Sequence, residues 1–177
     1  MRQHYLDFLG REPDQSGFEF WSDQIRSCGT DEGCIERRTI NVSAAYFLSI
    51  EFTETGRLVD SLYRASYGRR PAFSEFMPDR AQVAQGVRVG DGDWSGILNA
   101  NKQAFVAAWV QRPAFVAAYG GLGNDAYVDT LLSHTGVSFS QDERAALVNG
   151  LNSGALTRAV GAQADSRGRT LHGGEAE

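Results

Sequence analysis

The chain has 177 residues, which is long enough for one well-cored domain or two small fused ones. Because 42% of the residues are apolar and 11% aromatic, disorder is not expected across the body of the chain. Its net charge of −5 argues against general binding to nucleic acid or to anionic membranes, because affinity for phosphate needs clustered Lys and Arg. No apolar run approaches the ~20 residues that cross a bilayer, so membrane insertion is not expected.

The chain opens on an amphipathic helical pattern that has no cap and no secretory signal before it. Met1 leads directly into residues 2–9, where apolar and polar side chains already alternate with a helical period. This start predicts that the chain is a piece of a longer gene product that extends upstream.

Apolar residues recur three and four positions apart along most of the chain, which is typical of amphipathic α-helices. The stripes are Phe18, Trp21 and Ile25; Val42, Ala45, Tyr46 and Ile50; Leu98, Phe105 and Trp109; Val128, Leu131 and Leu132; and Leu147, Val148 and Leu151. Breaks are predicted at residues 10–13, 29–33, 56, 68–71, 120–123 and 136, which contain the glycines and prolines. The predicted fold is all-α, with about eight to ten helices stacked into one compact domain.

Cys28 and Cys34 enclose five residues, with a glycine at each end of that loop. Such a loop can fold back to disulfide geometry, and the bridge would contribute about 2–3 kcal/mol on a loop-entropy estimate. We predict the disulfide and hence an oxidising compartment; two free thiols in a cytosolic loop are the alternative. A zinc site is not predicted, because His4, His134 and His172 are scattered along the chain.

One segment looks extended: residues 87–89 are flanked by Gly86 and Gly90, and a short hairpin is predicted near residues 86–93. The following stretch, residues 91–99, has oxygen-bearing side chains and a glycine at the spacing of an EF-hand calcium loop.

The calcium candidates in that stretch are Asp91, Asp93 and Ser95. The twelfth position of the loop is Lys102, a cation where the site needs a bidentate Glu. The alternative is that Asp93 or Ser95 caps the next helix. We therefore predict no metal and no cofactor.

An internal repeat relates three parts of the chain. Residues 5–14 return as residues 62–71 and, more faintly, as residues 129–138, and the turn glycines Gly10, Gly68 and Gly136 are 58 and 68 residues apart. We predict a first unit over 1–60, a second over 61–123 with an insertion at 69–93, and a partial third over 124–160. The small, polar residues 161–177 are expected to form a flexible tail.

Residues 5–21 carry the pattern Y-x-x-x-L-G-R-x-P-D-x-x-G-x-x-x-W. This pattern resembles a bacterial domain of unknown function that is related to the phycobilisome linker domain, with the likeness strongest over residues 1–70. The resemblance implies a helix–turn–helix repeat of extracellular and cell-surface proteins. It implies a scaffold or interaction role and supplies no catalytic residue.

The residues of this signature have structural roles on physical grounds, with ligand contact as the alternative. Gly10 is expected to end the first helix in a left-handed cap and Pro13 to block its continuation. Asp14 is expected to cap the next helix. The full set is Gly10, Arg11, Pro13, Asp14, Gly17 and Trp21, of which Gly17 permits close helix approach and Trp21 anchors the packing.

The leading hypothesis is a non-catalytic interaction or scaffold module of a larger secreted or cell-surface bacterial protein. Its partner would be a protein or a cell-surface glycan, and its oligomeric state is open. The alternative is a carbohydrate-active or other hydrolytic domain that uses paired carboxylates in a groove between repeat units. The candidate pairs for that chemistry are Glu51 with Glu54 and Glu19 with Asp23.

Overall fold

A computed structural model describes residues 1–136, 138–159 and 162, and helices joined by turns account for the regular structure in these ranges. The helices are α1 (Arg2–His4), which continues into a π-helical segment (Tyr5–Leu9), and α2 (Gln15–Arg26), α3 (Glu32–Phe47), α4 (Ile50–Tyr67), α5 (Phe73–Val83), α6 (Trp94–Trp109), α7 (Pro113–Tyr119), α8 (Asn124–Thr135) and α9 (Gln141–Asn152). The all-α prediction is confirmed, with nine α-helices among the described residues.

Side-chain caps fix where several of these helices begin. The carboxylates of Asp14, Asp31 and Asp93 each accept a hydrogen bond from the backbone N–H three residues later, and so do the hydroxyls of Ser49 and Ser140. Each cap satisfies one of the N–H groups that a helix leaves unpaired at its start. The turns between helices can therefore be short.

The three glycines that the sequence repeat aligns adopt nearly the same backbone conformation. Gly10, Gly68 and Gly136 have φ values of 67°, 64° and 66°, and each one directly follows a helical segment. This left-handed conformation is strained for residues with a Cβ, which explains why glycine occupies all three positions.

Each of the first two repeat copies contains the same kind of side-chain contact, an arginine over a tyrosine ring. The Arg11 guanidinium lies over the Tyr5 ring at 5.1 Å from its centroid, and the Arg69 guanidinium lies over the Tyr63 ring at the same distance. Both pairs lie at the same offset from their turn glycine, six residues apart in the chain. The repeat thus preserves a local cation–π geometry as well as a turn.

Two hydrophobic clusters form the core. The smaller one contains Tyr5, Leu9, Val42, Tyr46 and Phe52 and joins the N-terminal segment to α3 and α4. The larger one is built from α4 to α9.

The larger cluster surrounds Trp109, which is fully buried. The indole N–H of Trp109 donates to Ser66 Oγ at 2.9 Å, and its ring meets Tyr63 edge-on. Helix α4 contributes residues to both clusters.

The predicted hairpin near residues 86–93 is wrong: these residues form turns, and the described chain contains no strand. The N–H of Val87 donates to the Ala84 carbonyl, and the N–H of Asp91 donates to the Arg88 carbonyl. Local turns therefore use the backbone groups that a hairpin would pair. Val87 is buried in the larger cluster, which explains the apolar character of the segment.

The predicted helix break at Gly56 is also wrong, because α4 continues through it. A Cβ at this position would lie 2.8 Å from Cζ of Phe76. Gly56 thus gives room for α5 to pack against α4, which offsets its low helix propensity.

Cys28 and Cys34 lie at disulfide distance, with their Sγ atoms 2.00 Å and their Cα atoms 5.5 Å apart. The pair closes the turn between α2 and α3. Each helix in the described ranges is too short or too polar to cross a bilayer. The predicted tail over 161–177 lies outside the described residues except for Ala162, which is buried in the larger cluster.

Candidate functional site

The signature residues lie where the π-helical segment turns into α2. Gly10 ends the segment, Pro13 lies in the turn, and Asp14 Oδ1 accepts from the Gly17 N–H at 2.7 Å. That hydrogen bond lowers the pKa of the Asp14 carboxyl. A Cβ on Gly17 would fall on the hydroxyl of Tyr5, so the missing side chain lets α2 lie directly on the N-terminal segment.

Arg11 fastens this turn to α4 through Glu51, forty residues further along the chain. Its Nε donates to Glu51 Oε1 at 2.8 Å and its Nη2 donates to Oε2 at 3.1 Å. The backbone N–H of Val89 donates to the same Oε2 at 3.4 Å. Glu51 is 5% exposed, and a planar, bidentate pair of this kind fixes both side chains in orientation.

An open cleft of about 260 Å³ lies beside this ion pair. Three aromatic side chains line it, those of Tyr5, Trp21 and Tyr46, and the Arg11–Glu51 pair supplies its charged groups. The rings are packed on one another: Tyr46 meets Tyr5 edge-on at 5.0 Å between centroids and contacts Trp21 at 5.4 Å. The cleft therefore lies against a packed aromatic group and one neutralised charge pair.

The hydroxyl of Tyr46, a residue that lines the cleft, is itself buried. Tyr46 is 3% exposed, and its Oη has almost no accessible surface. Burial, followed by hydrogen bonding with the Tyr5 hydroxyl, raises the pKa of Tyr46.

Arg80 is fully buried beside the turn glycine Gly10, where an added Cβ would lie 3.4 Å from its Nη2. Its Nη1 donates to Thr55 Oγ1 at 2.9 Å, and its guanidinium lies 5.2 Å from the Phe52 ring centroid. Nε and Nη2 have no partner in the described part of the chain. Burial lowers the pKa of Arg80, whereas the charge of Glu51 raises it.

Glu51 and Glu54, the first pair of carboxylates considered for hydrolysis in the sequence analysis, form ion pairs with different residues. Glu51 is held by Arg11, while Glu54 accepts from Lys102 Nζ at 3.0 Å. Among the described residues that line the cleft, Glu51 is the sole carboxylate.

The second predicted pair lies on α2 and faces solvent. Glu19 accepts a hydrogen bond from Gln15, and Asp23 lies 3.4 Å from Arg26 in an exposed ion pair. The structure therefore does not bring either predicted pair together around the cleft.

One Ser–His contact, which the sequence did not suggest, lies near the N-terminus. His4 Nε2 and Ser43 Oγ are 2.9 Å apart. The Ser43 hydroxyl also donates to the Thr39 carbonyl at 2.9 Å. Which group donates in the His4–Ser43 contact depends on the imidazole tautomer.

The residues of the calcium pattern act at the start of α6. Asp93 Oδ1 accepts from the Gly96 N–H at 3.0 Å, and Ser95 Oγ lies 3.4 Å from the same carboxylate oxygen. Lys102 is bound to Glu54. Within the described ranges, no group of three or more His, Cys, Asp or Glu side chains is arranged to hold a metal ion.

Sequence reasoning missed three features of the site: the buried Tyr46 hydroxyl, the buried Arg80 and the Arg11–Glu51 pair. Tyr46 and Glu51 belong to local sequence patterns that predict helices. Such patterns span only a few residues, so they cannot predict the contact between Arg11 and Glu51, which are forty positions apart. Comparison of the chain with models of protein families, with curated proteins and with solved structures finds no match.

Proposed function

We propose that the chain is a non-catalytic interaction module of a larger secreted or cell-surface bacterial protein. The observation that carries this proposal is the state of the cleft's charged groups. Arg11 and Glu51 neutralise each other through two hydrogen bonds, and Glu51 is almost fully buried. A carboxylate held on a guanidinium by two hydrogen bonds is poorly placed to move a proton.

The hydrolytic alternative has less support. Glycoside hydrolysis uses two carboxyl groups roughly 5–10 Å apart on either side of the scissile bond. The cleft offers Glu51 alone among its described lining residues, and Glu54 is bound to Lys102 instead.

The extracellular assignment rests on two independent features. Cys28 and Cys34 lie at disulfide distance, and disulfides persist mainly in oxidising compartments. The signature of residues 5–21 resembles a repeat of bacterial cell-surface proteins. Both features favour a position outside the cytoplasm.

Two measurements on the same samples test binding against turnover. The purified chain is incubated with isolated bacterial cell envelopes, its retention is measured by co-sedimentation, and the release of reducing sugar ends is followed in parallel. We expect saturable retention without reducing ends, and the same result for Arg144→Ala, which removes an exposed cation remote from the cleft in sequence.

Two results would overturn the proposal. One is the absence of retention at a chain concentration of about 100 µM, which is far above the Kd of an ordinary specific complex. The other is release of reducing ends that Glu51→Gln abolishes, because it would show that Glu51 takes part in a reaction.

A further inference from the structure

We propose that the outward face of α3 binds the same face of a second copy of this chain. The two α3 helices would lie antiparallel about a two-fold axis near Ala44. This inference goes beyond the proposed function, because it concerns the side of α3 that faces away from Tyr46 and the cleft. It follows from an exposed apolar stripe, from its spacing about a small residue, from its charge and from its area.

Helix α3 carries apolar residues on two opposite faces. Val42 and Tyr46 are buried in the smaller cluster, so they mark the face that packs against the rest of the domain. At about 3.6 residues per turn, Ile40, Ala44 and Phe47 lie together on the opposite face, and all three are exposed. A surface helix ordinarily turns polar residues to solvent. The stripe of Ile40, Ala44 and Phe47 therefore places apolar side chains where the core of one copy does not use them.

The large side chains of this stripe are more than half exposed. Ile40 is 60% exposed and Phe47 56%, and Leu48, which continues the helix with helical backbone angles, is 73% exposed. An aromatic side chain has roughly 150–250 Å² of surface, so these fractions amount to about 100 Å² for each residue, or about 300 Å² for each copy. Apolar patches of about this size or larger on a monomer are often binding surfaces.

The spacing of the stripe suits an antiparallel pair. Ile40 and Leu48 each lie four residues from Ala44, which is about 6 Å along the helix axis. With Ala44 on the two-fold axis, Ile40 of each copy meets Leu48 of the other copy. The small side chain of Ala44 lets the two helices approach closely at the centre. One set of residues thus supplies both sides of the contact, which is the requirement for an isologous interface and favours a second copy over an unrelated protein.

The charge of this face also favours a second copy in the antiparallel orientation. The chain has a net charge of −5, so much of its surface repels another copy. The charged residues on the outward face of α3 are Glu36 and Arg37, one of each sign, and the face is therefore neutral. An antiparallel pair keeps the two Arg37 residues about 21 Å apart along the axis, whereas a parallel pair would place them side by side.

The area of the stripe predicts a weak dimer. A standard stable interface buries about 800 Å² on each copy, with an apolar centre and a polar rim. The stripe and Leu48 supply the apolar centre, and the area they add is less than half of that figure. We therefore expect a dissociation constant on the order of 10 µM.

Ile40→Glu tests the interface, because it places a carboxylate opposite Leu48 in the dimer but leaves it in solvent in the monomer. Sedimentation equilibrium between about 1 and 100 µM should show a monomer–dimer equilibrium for the unmodified chain. Ile40→Glu should weaken dimerisation at least tenfold. Val116→Glu is the matched control, since it changes another exposed β-branched residue on α7, and it should leave the dissociation constant unchanged. Thermal unfolding at low concentration checks that both variants fold.

Cysteine crosslinking tests the orientation of the two helices. Ala44→Cys places one thiol of each copy at the two-fold axis, where the Cα separation of about 4.4–6.8 Å that a disulfide needs can be met. Mild oxidation should then give a covalent dimer on a non-reducing gel. Ile40→Cys is the control, because an antiparallel pair separates its two thiols by about 12 Å along the axis, and it should stay uncrosslinked.

Several results would overturn the proposal. A monomer mass at about 100 µM removes the dimer, and a dimer that Ile40→Glu leaves intact places the interface elsewhere. Crosslinking through Ile40→Cys in preference to Ala44→Cys would show a parallel pair instead. If the chain is monomeric and Ile40→Glu abolishes its retention on cell envelopes, the face binds a different protein. In that case the dimer is refuted while the proposed interaction module stands.

Discussion

Arg112 holds the carboxylate of Asp79 through two parallel hydrogen bonds, Nη1 to Oδ2 at 2.8 Å and Nη2 to Oδ1 at 2.7 Å. The hydroxyl of Tyr63 donates to the same carboxylate at 3.1 Å, so the start of α7, helix α5 and helix α4 meet at one acid. Asp79 is 6% exposed. Its charge therefore depends on the guanidinium for compensation.

Arg112→Ala should lower the free energy of unfolding by about 3–5 kcal/mol, because it leaves a buried carboxylate without its cation. Arg144→Ala is the control: Arg144 forms a similar pair with Asp129 at the surface, and its loss should cost less than about 1 kcal/mol. Urea unfolding of both variants measures the difference. Equal losses of unfolding free energy in the two variants would contradict the conclusion that the buried Asp79 carboxylate depends on Arg112.

Arg80→Met should raise the free energy of unfolding by about 1–2 kcal/mol, since a buried cation with two unsatisfied donors is replaced by an apolar chain of similar length. Thr55 does not lose its only partner, because its hydroxyl also donates to the Glu51 carbonyl at 2.6 Å. Thermal unfolding monitored by circular dichroism checks the sign. A clear loss of stability would show that the guanidinium has partners that offset its burial.

Gly17→Ala should destabilise the fold by about 1–3 kcal/mol, because its Cβ would fall on the Tyr5 hydroxyl. Tyr5→Phe removes that oxygen, so the alanine should cost less in the double variant, and a double-mutant cycle in urea measures the coupling. Gly33→Ala in α3 is the control: its nearest neighbour is the flexible end of Arg37, and the change should be neutral or stabilising. If the Gly17→Ala and Tyr5→Phe substitutions have additive effects on the unfolding free energy, the close approach of Gly17 to the Tyr5 hydroxyl would be disproved.

The hydrogen bonds of the Glu75 carboxylate are expected to make the stability of the fold depend on pH in the acid range. Two hydrogen bonds from Arg69 and one from the Ala72 N–H lower the pKa of Glu75 from 4.5 to about 2. Because the folded pKa lies below the unfolded one, the contribution is fully present above pH 4.5 and is lost as the pH falls towards 2. Glu75→Gln should therefore show a shallower fall of unfolding free energy over this interval. Superimposable pH profiles would refute the prediction.

The disulfide should stabilise the fold by about 2–3 kcal/mol through its short loop, so Cys28→Ser with Cys34→Ser should lower the unfolding free energy by that amount. Titration of the unfolded, unreduced chain with a thiol reagent should find no reactive thiol. Two reactive thiols would remove both the bridge and its support for an oxidising compartment.

Interactions that span three or four residues were predictable from the sequence. The cap that Asp14 places on α2 follows from the chemistry of a carboxylate three residues before a free N–H, and the left-handed Gly10 follows from the need to end a helix. The all-α class followed from the period of the apolar residues, because each stripe had to be buried.

Long-range packing decided the features that the sequence did not reveal. From the local sequence, Gly56 predicts a helix break. It instead lies within α4, because the absence of a side chain there leaves room for Phe76 to pack against the helix. From the local sequence, Val87 predicts a strand. In the structure it lies in a turn region, and its apolar side chain is buried in the larger cluster. The cleft depends on Arg11 meeting Glu51 across forty positions, and no short pattern encodes that distance in space.

Helix α4 links the two hydrophobic clusters through shared packing. It contributes Phe52 to one cluster and Leu62 to the other, and the unit boundary drawn from the repeat at residue 60 lies within this helix. Excision at that boundary would sever the helix and leave each fragment with an incomplete core. We therefore expect a piece that folds on its own to need more of the chain than the single unit drawn from the sequence repeat.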